Sequence, residues 1–135
     1  MTYKVEDIEG IGPAYAAKLA EAGIKNTEDL LEKAGSAKGR AALEEATGIA
    51  GANILTWVNH ADLMRINGIG GQYAELLEEA GVDTLKELRT RNPQNLGAKL
   101  AEVNEKRNLS GNAPSVSMVM KWIEQAKTME PGVTY

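Results

Sequence analysis

The spacing of hydrophobic residues along the chain indicates a protein made of helices. Ala16, Leu19 and Ala20, for example, are three and four positions apart, which places them on one face of a helix. No segment alternates between apolar and polar residues, so we expect no β-strand. The pattern predicts helices over residues 4–8, 13–22, 28–34, 40–47, 52–63, 63–66, 72–80, 85–91, 94–107 and 115–129.

Start and stop signals bound several of these helices. Pro13 suits the first position of a helix, where its missing N–H is not needed. Gly23 and Gly48 follow apolar helical stretches and are typical of helix ends. Thr27 and Thr84 are predicted to cap the helices that follow them, because a hydroxyl oxygen can accept from a free N–H of the first turn.

The chain contains an internal repeat. Ile8–Ala16 matches Ile66–Ala74, and with small shifts the match extends to Trp57 and Trp122. The repeat divides the chain into a first half, residues 1–61, and a second half, residues 62–130, followed by a tail, 131–135, which we expect to be flexible. Each half is too short to bury much core alone. We therefore expect an all-α fold in which two tandem pseudo-repeats of five helices pack as one compact body.

The few aromatic residues are interpreted as packing residues. Trp57 and Trp122 occupy matched positions, and proteins that stack on single-stranded DNA use several exposed aromatic side chains. His60 is expected at a helix surface or at a contact between the halves. We expect the following residues to be largely buried: Ile11, Leu19, Leu31, Leu43, Trp57, Ile69, Leu77, Leu88, Leu100 and Trp122.

Composition excludes several function classes. The chain has no cysteine and one histidine, so it cannot build a disulfide framework, a thiol nucleophile or a zinc site from Cys and His. No nucleophile–base pair or phosphate loop of the nucleotide-binding kind occurs, and we expect no enzyme, no cofactor and no small-molecule substrate. No apolar run is long enough to span a membrane, and the N-terminus has no signal-peptide core. These features favour a soluble cytoplasmic protein that does not associate with membranes.

Two glycine-rich turns carry the candidate chemistry. Gly10-Ile11-Gly12 and Gly68-Ile69-Gly70 each separate a short helical segment from a longer helix. Glycine permits positive φ and a close backbone approach, and the N-terminus of the following helix presents unpaired N–H groups together with the positive end of the helix dipole. Such a turn can bind an anion, for instance a DNA phosphate.

At these residues the chain resembles the helix-hairpin-helix superfamily. With its two repeats linked through residues 59–66, it is also similar to a bacterial family of small stand-alone tandem proteins that is classed as a domain of unknown function. The resemblance covers about residues 4–130. It implies hairpins that bind the DNA backbone without reading sequence, in some members with a monovalent cation at the turn. Other members only pack or bind protein.

The two turns differ in their surroundings. The second turn has no acidic residue, whereas Glu9 lies within the first and Glu6 and Asp7 precede it, so we expect the second turn to be the better phosphate site. The resemblance and the local charges give these candidate phosphate-binding residues: Arg65, Gly68, Gly70, Gly71 and Gln72 in the second turn, and Gly10, Gly12 and Lys18 in the first.

Two functions remain open from the sequence. The first is a non-sequence-specific DNA-binding accessory protein, and the second is a helical protein–protein interaction module that kept the hairpin fold. Residues 1–63 hold 6 basic and 10 acidic side chains, whereas residues 64–135 hold 9 of each. The more basic second half and the intact chemistry of the second turn favour DNA, which we take as the expected function, while the net charge of -4 and Glu9 favour a protein partner. Weaker turns at residues 35–40 and 89–95, each with two basic residues, either extend a DNA contact or are polar loops between helices.

Overall fold

The computed structural model describes residues 2–135 and confirms the all-α class. Within this range the chain forms eight α-helices and one turn of 3-10 helix, Val5–Asp7, and it forms no β-strand. The helices are α1 Pro13–Glu21, α2 Thr27–Ala34, α3 Ala37–Thr47, α4 Gly51–Leu63, α5 Gly71–Glu79, α6 Leu85–Leu88, α7 Pro93–Arg107 and α8 Val116–Thr128.

The second half has four helices and not five. The short helix predicted over 63–66 is wrong, because the chain leaves α4 at Leu63 and makes tight turns there. Arg65 N–H donates to Asp62 O at 3.2 Å and Ile66 N–H donates to Leu63 O at 3.1 Å. These bonds reach back three residues, which tightens the backbone into a turn where an α-helix would reach back four.

The start of α2 also differs from the prediction. The cap is Asn26, whose side chain accepts from Asp29 N–H at 2.8 Å. Thr27 is buried, and its hydroxyl oxygen accepts from Tyr3 N–H at 3.1 Å, while its own N–H donates to Tyr3 O at 2.8 Å. Thr27 therefore fixes the N-terminal segment to α2. Thr84 caps α6 as predicted, by accepting from Glu87 N–H.

One hydrophobic cluster runs through both halves. All but one of the residues expected in the core are buried; the exception is Leu31, which is half-buried while its neighbour Leu30 is fully enclosed. Within the first half α2 packs against α3 and α4, and within the second α7 packs against α5 and α8. Contacts between α4 and α5 join the two groups of helices.

The C-terminal segment, residues 130–135, packs against the body of the protein and does not extend from it as a loose tail. Val133 is buried, and Thr134 N–H donates to Gly35 O at 2.8 Å. Gly132 N–H donates to both carboxylate oxygens of Asp62, at 3.1 and 3.0 Å. An apolar side chain and two backbone donors thus find fixed partners, which offsets the entropy lost on ordering the segment.

Candidate phosphate-binding turns

The two glycine turns have closely similar backbone geometry. Gly10 has φ +93° and Gly68 has φ +97°, values that L side chains rarely adopt. Ile11 N–H donates to Ile8 O at 3.2 Å, and Ile69 N–H donates to Ile66 O at 3.1 Å. Both central isoleucines are buried. Each turn is therefore held by one tight backbone bond and by an apolar side chain inserted beneath it.

A tryptophan lies under each turn. The rings of Trp57 and Tyr15 meet edge to face with centroids 5.0 Å apart, and those of Trp122 and Tyr73 meet at 5.3 Å. Both indoles are buried, which confirms that they are core residues and not stacking platforms. A methyl group added at Gly68 would lie 3.0 Å from the indole Nε1 of Trp122. Glycine is thus favoured at position 68 by the backbone angle and by the close approach of the ring below it.

The second turn, at the start of α5, has more free backbone donors than the first turn. The N–H groups of Gly70, Gly71, Gln72 and Tyr73 donate to no acceptor among residues 2–135, and the first helical bond runs from Ala74 to Gly70 O. Gly70 and Gly71 are half-buried and Gln72 is exposed, so the donors lie at the surface. Four unpaired N–H groups at a helix N-terminus create a local positive potential.

The first turn offers fewer donors. The start of α1 has free N–H groups at Gly12, Ala14 and Tyr15 as far as residues 2–135 are concerned, whereas Pro13 has none to give. Lys18 is exposed one turn further along and forms no ion pair within that range. The structure therefore supplies one donor less here than at the second turn.

The first half lies directly against the second turn. The carbonyl oxygen of Asp7, at the end of the 3-10 helix, contacts the position that a side chain at Gly71 would occupy. Gly71 is therefore needed for packing, independently of any ligand. The carbonyl also places a negative partial charge next to one side of the α5 N-terminus, so an anion has to approach from the remaining open side, where nothing lies within 4 Å of the side-chain position of Gly70.

Several acidic residues lie along α5. Burial raises the pKa of Glu75, and the nearby carboxylate of Glu9, from the first turn, raises that pKa further; His60 acts in the opposite direction, and Glu79 and Glu78 add smaller increases. The sequence places Glu9 at the first turn only, but folding brings it close to the helix of the second. The second turn is therefore less free of negative charge than its own sequence indicates.

Arg65 points to the C-terminal segment. Its Nη1 donates to Asp62 Oδ1 at 2.7 Å and to Glu130 O at 2.9 Å. Burial raises the pKa of Asp62, and the hydrogen bonds from Arg65 and Gly132 act in the opposite direction. Through Nη1, Arg65 thus binds the carboxylate of Asp62 and the backbone carbonyl of Glu130. This nitrogen adds no positive charge to the backbone N–H groups of the second turn.

Gln125 of α8 braces the second turn, a role that sequence reasoning missed. Its Oε1 accepts from Asn67 N–H at 3.1 Å and its Nε2 donates to Asn67 O at 3.5 Å. This reciprocal pair fixes the peptide just before Gly68. No local signal in the sequence could have identified it, because the two residues are far apart in the chain.

A family model describes nearly all of the chain. The model of the family called domain of unknown function (DUF4332) matches residues 9–129, which include both turns and all eight helices up to Thr128. The chain belongs to the DUF4332 family. No curated protein and no solved structure shows significant similarity to it.

In this DUF4332 domain the arginines of the two weaker turns are held in different ways. Arg40 is buried and donates to Ala34 O at 3.3 Å and Gly35 O at 2.8 Å, both at the end of α2. Arg91 donates to Gly81 O at 3.2 Å and pairs with Glu87 at 2.9 Å. Arg40 is thus held inside the fold, whereas Arg91 is partly exposed and Arg89 forms no ion pair within residues 2–135.

His60 joins α4 to α5 in the DUF4332 domain. It is buried, and its Nε2 lies 2.8 Å from Glu78 Oε2, while its Nδ1 has no partner within residues 2–135. Of the two locations expected for His60, a helix surface or a contact between the halves, the structure shows the second.

Residues 2–135 contain no group of three His, Asp or Glu side chains arranged to hold a metal ion. None of the helices in that range is long and apolar enough to cross a membrane.

Proposed function

We propose that this chain binds the phosphate backbone of DNA without sequence preference, mainly through the second glycine turn. The observation that carries the proposal is the run of four unpaired N–H groups from Gly70 to Tyr73 at the start of α5. Helix N-termini of this kind bind phosphate because donors and dipole act together. The resemblance of both turns to helix-hairpin-helix motifs supports the same assignment, with Gly10, Gly12 and Lys18 as a secondary contact.

The contact surface is small, which defines how the binding should behave. With about 3–4 phosphates engaged, log K against log salt should have a slope of about -3 to -4 on duplex DNA. The dissociation constant should be roughly 10⁻⁴ to 10⁻⁶ M, as in non-specific binding, because backbone contacts carry no base information. Arg65 Nη1 is engaged by Asp62 and Glu130, so Arg65 contributes to this site only through its remaining N–H groups.

A charge placed on the α5 N-terminus tests the proposal without weakening the fold. Gln72→Glu puts a carboxylate at the exposed second position of α5. There it interacts favourably with the helix dipole by about 0.3–1 kcal/mol, but it repels a phosphate. We expect the affinity for a fluorescein-labelled duplex to fall about fivefold, which corresponds to roughly 1 kcal/mol, measured by fluorescence anisotropy between 20 and 200 mM KCl.

The repeat supplies a matched control. Ala14 occupies the position in α1 that matches Gln72 in α5, and it is also exposed. Ala14→Glu adds the same charge at the first turn and should change DNA affinity less than about twofold. Equal losses in both variants would show a general charge effect and not a site. A parent protein that gives no anisotropy change even at 20 mM KCl would rule out DNA binding.

The acidic side of α5 favours a second candidate function, a protein–protein interaction module with a basic partner. Glu9, Glu75, Glu78 and Glu79 come from two separate parts of the chain and lie close enough to interact electrostatically. A surface of one charge sign steers partners of the opposite sign. Glu79 already pairs with Arg107 at 3.0 Å, whereas Glu9 forms no ion pair within residues 2–135. Charge reversal at Glu9 separates the two functions, since it should strengthen DNA binding if the turn binds phosphate and should weaken binding of a basic protein partner.

A further inference from the structure

Tyr135 carries the one exposed aromatic ring in the part of the chain that the structure describes. It is 71% exposed, whereas both tryptophans are buried and Tyr3, Tyr15 and Tyr73 are half-buried. An exposed aromatic ring can stack on a nucleobase, and such stacking tolerates any base because every base has a π-face. Tyr135 is therefore available to a ligand that has a flat face of its own.

The ring is fixed in position before any ligand binds. The hydroxyl of Tyr135 donates to Oδ1 of the buried Asn59 at 2.7 Å, and the guanidinium of Arg40 lies over the ring, 5.6 Å from its centre. Arg40 also donates to Thr134 O at 2.6 Å, which fixes the preceding peptide. Since Arg40 covers one face and the residue is largely exposed, the opposite face is open to solvent. A ring that is already held loses little entropy when a ligand stacks on it.

Basic side chains line a cavity of about 430 Å³ beside the ring. Lys86 is exposed and Arg89 is half-buried, and neither forms an ion pair within residues 2–135. The hydroxyl of Thr84 lies at the same cavity. Its oxygen accepts from Glu87 N–H at 3.0 Å, while its proton has no acceptor within that range. Two cations and a hydroxyl donor together are groups that bind phosphate oxygens.

Two carboxylates near the ring influence which anion fits the cavity. Asp62 lines it, but its charge is balanced by Arg65 at 2.7 Å and by two bonds from Gly132 N–H. Burial raises the pKa of Tyr135, and the nearby carboxylate of Asp83 raises that pKa further, so Asp83 lies close to the ring. A ribose hydroxyl can donate to such a carboxylate, as it does in dinucleotide-binding sites, whereas a simple anion such as sulfate is only repelled by it.

From this arrangement we propose that the cavity beside Tyr135 binds one nucleotide. The base stacks on the open face of the ring, and the phosphate is bound by Lys86, Arg89 and the hydroxyl of Thr84. The nucleotide is either free or unpaired in a nucleic-acid strand, since both present the same base and phosphate. The volume of the cavity lies within the range of about 300–1,000 Å³ found for small-ligand sites. The cavity shares no lining residue with the second glycine turn, so its test is independent of the DNA contact proposed there.

The test uses the full-length chain and three ligands that share parts of one structure. AMP has both base and phosphate, adenosine lacks the phosphate, and ribose phosphate lacks the base. Titrations are followed by NMR on protein with isotope-labelled tyrosine rings. We expect AMP to shift the Tyr135 ring signals and to bind at least about fivefold more tightly than either part. If ribose phosphate binds as tightly as AMP, or if AMP shifts no Tyr135 signal at up to about 10 mM, the proposal is overturned.

Matched variants separate the ring from the cations. Tyr135→Leu removes the aromatic face and should weaken AMP binding at least about fivefold, whereas Tyr135→Phe keeps that face and should bind within about threefold of wild type. Lys86→Ala should weaken AMP about threefold and leave adenosine unchanged, since only the phosphate is contacted. Lys25, between α1 and α2, is also exposed and without an ion pair within residues 2–135, so Lys25→Ala is the control. Equal losses in Lys86→Ala and Lys25→Ala would contradict a phosphate contact in this cavity.

A set of fluorescein-labelled duplexes identifies the source of the nucleotide. One duplex ends in a single unpaired adenosine, one is blunt, and one ends in an abasic nucleotide. If the site takes a strand end, the first duplex binds more tightly than the others to wild type but not to Tyr135→Leu. If the site takes a free nucleotide, the three duplexes bind alike while AMP still binds. Any contact at the second glycine turn is common to the three duplexes, so its failure leaves this comparison intact. Three duplexes that bind alike, together with no response to AMP, would overturn the proposal.

Discussion

At the scale of single residues, the two turns differ in how closely a tryptophan approaches their first glycine. A methyl group at Gly10 would lie 3.6 Å from Trp57 Nε1, an ordinary contact, but at Gly68 it would lie 3.0 Å from Trp122 Nε1. The backbone strain of a positive φ is common to both positions. A matched pair of substitutions can therefore separate the strain from the steric contact.

We expect Gly68→Ala to destabilise the protein more than Gly10→Ala. The shared cost of the positive φ is about 1–2 kcal/mol, and in Gly68→Ala the crowding against the indole adds to it. Urea unfolding followed by circular dichroism measures the free energy of unfolding of each variant. Equal losses would show that the turn in the second half can shift away from Trp122.

The sequence predicted the turn residues but not all of their neighbours. The glycines, the apolar plug and the free donors follow from local rules, since each depends on residues a few positions apart. The carbonyl of Asp7 against Gly71 and the bond from Arg65 to Glu130 O depend on distant parts of the chain. Arg65 was predicted to bind phosphate from its charge, which is visible in the sequence, whereas its contact with the Glu130 carbonyl is not.

At the scale of elements, α5 combines a positive N-terminus with an acidic side. Glu75 has a raised pKa because of burial first and Glu9 second. A carboxyl whose pKa is higher in the folded than in the unfolded state destabilises the fold when it ionises. The loss of stability is absent below the ordinary pKa of 4.5 and develops as the pH rises through the folded-state value.

We therefore expect Glu75→Gln to stabilise the protein at pH 7 and to have no effect at pH 3.5. Thermal unfolding at the two pH values measures the difference in Tm between variant and wild type. Glu45→Gln, at an exposed position of α3, is the control and should change Tm little at either pH. A gain of equal size at both pH values would point to helix propensity or packing and not to charge.

Helix positions were predictable where a pattern and a cap agreed. Six helices, α1, α2, α4, α5, α7 and α8, begin and end within one residue of the prediction, because proline, glycine and apolar spacing mark them. The other two differ, since α3 begins three residues earlier than predicted and α6 ends three residues earlier. The short helix at 63–66 was copied from the repeat. It failed because the chain has to turn there, so that Ile66 and Ile69 can both reach the core.

At the scale of the whole molecule, a single hydrophobic cluster containing both tryptophans implies one cooperative unit. Trp57→Phe leaves Trp122 as the only fluorophore of its kind, and Trp122→Phe leaves Trp57. In each variant the urea midpoint from tryptophan fluorescence should equal the midpoint from far-UV circular dichroism, as two-state unfolding requires. A lower fluorescence midpoint in one variant would mean that the corresponding half unfolds first.

The all-α class of the fold was predictable from the sequence, but the position of the C-terminal segment was not. Repeat, composition and spacing were enough for an all-helical body, because they report local structure and average burial. The position of residues 130–135 was not predictable, since Pro131, Gly132 and Thr134 are typical of a loop. Their order comes from Asp62, Gly35 and Arg40, which the sequence places far away.

The attachment of both end segments to α2 has a mechanical consequence. Tyr3 pairs with Thr27 at the beginning of this helix, and Thr134 pairs with Gly35 just after its end. Tension applied between residues 2 and 135 would therefore load these hydrogen bonds and the axis of α2, together with the bonds that hold Thr134 to Arg40 of α3 and Tyr135 to Asn59 of α4. The chain would resist a weak pull through these contacts before the force reached the glycine turns.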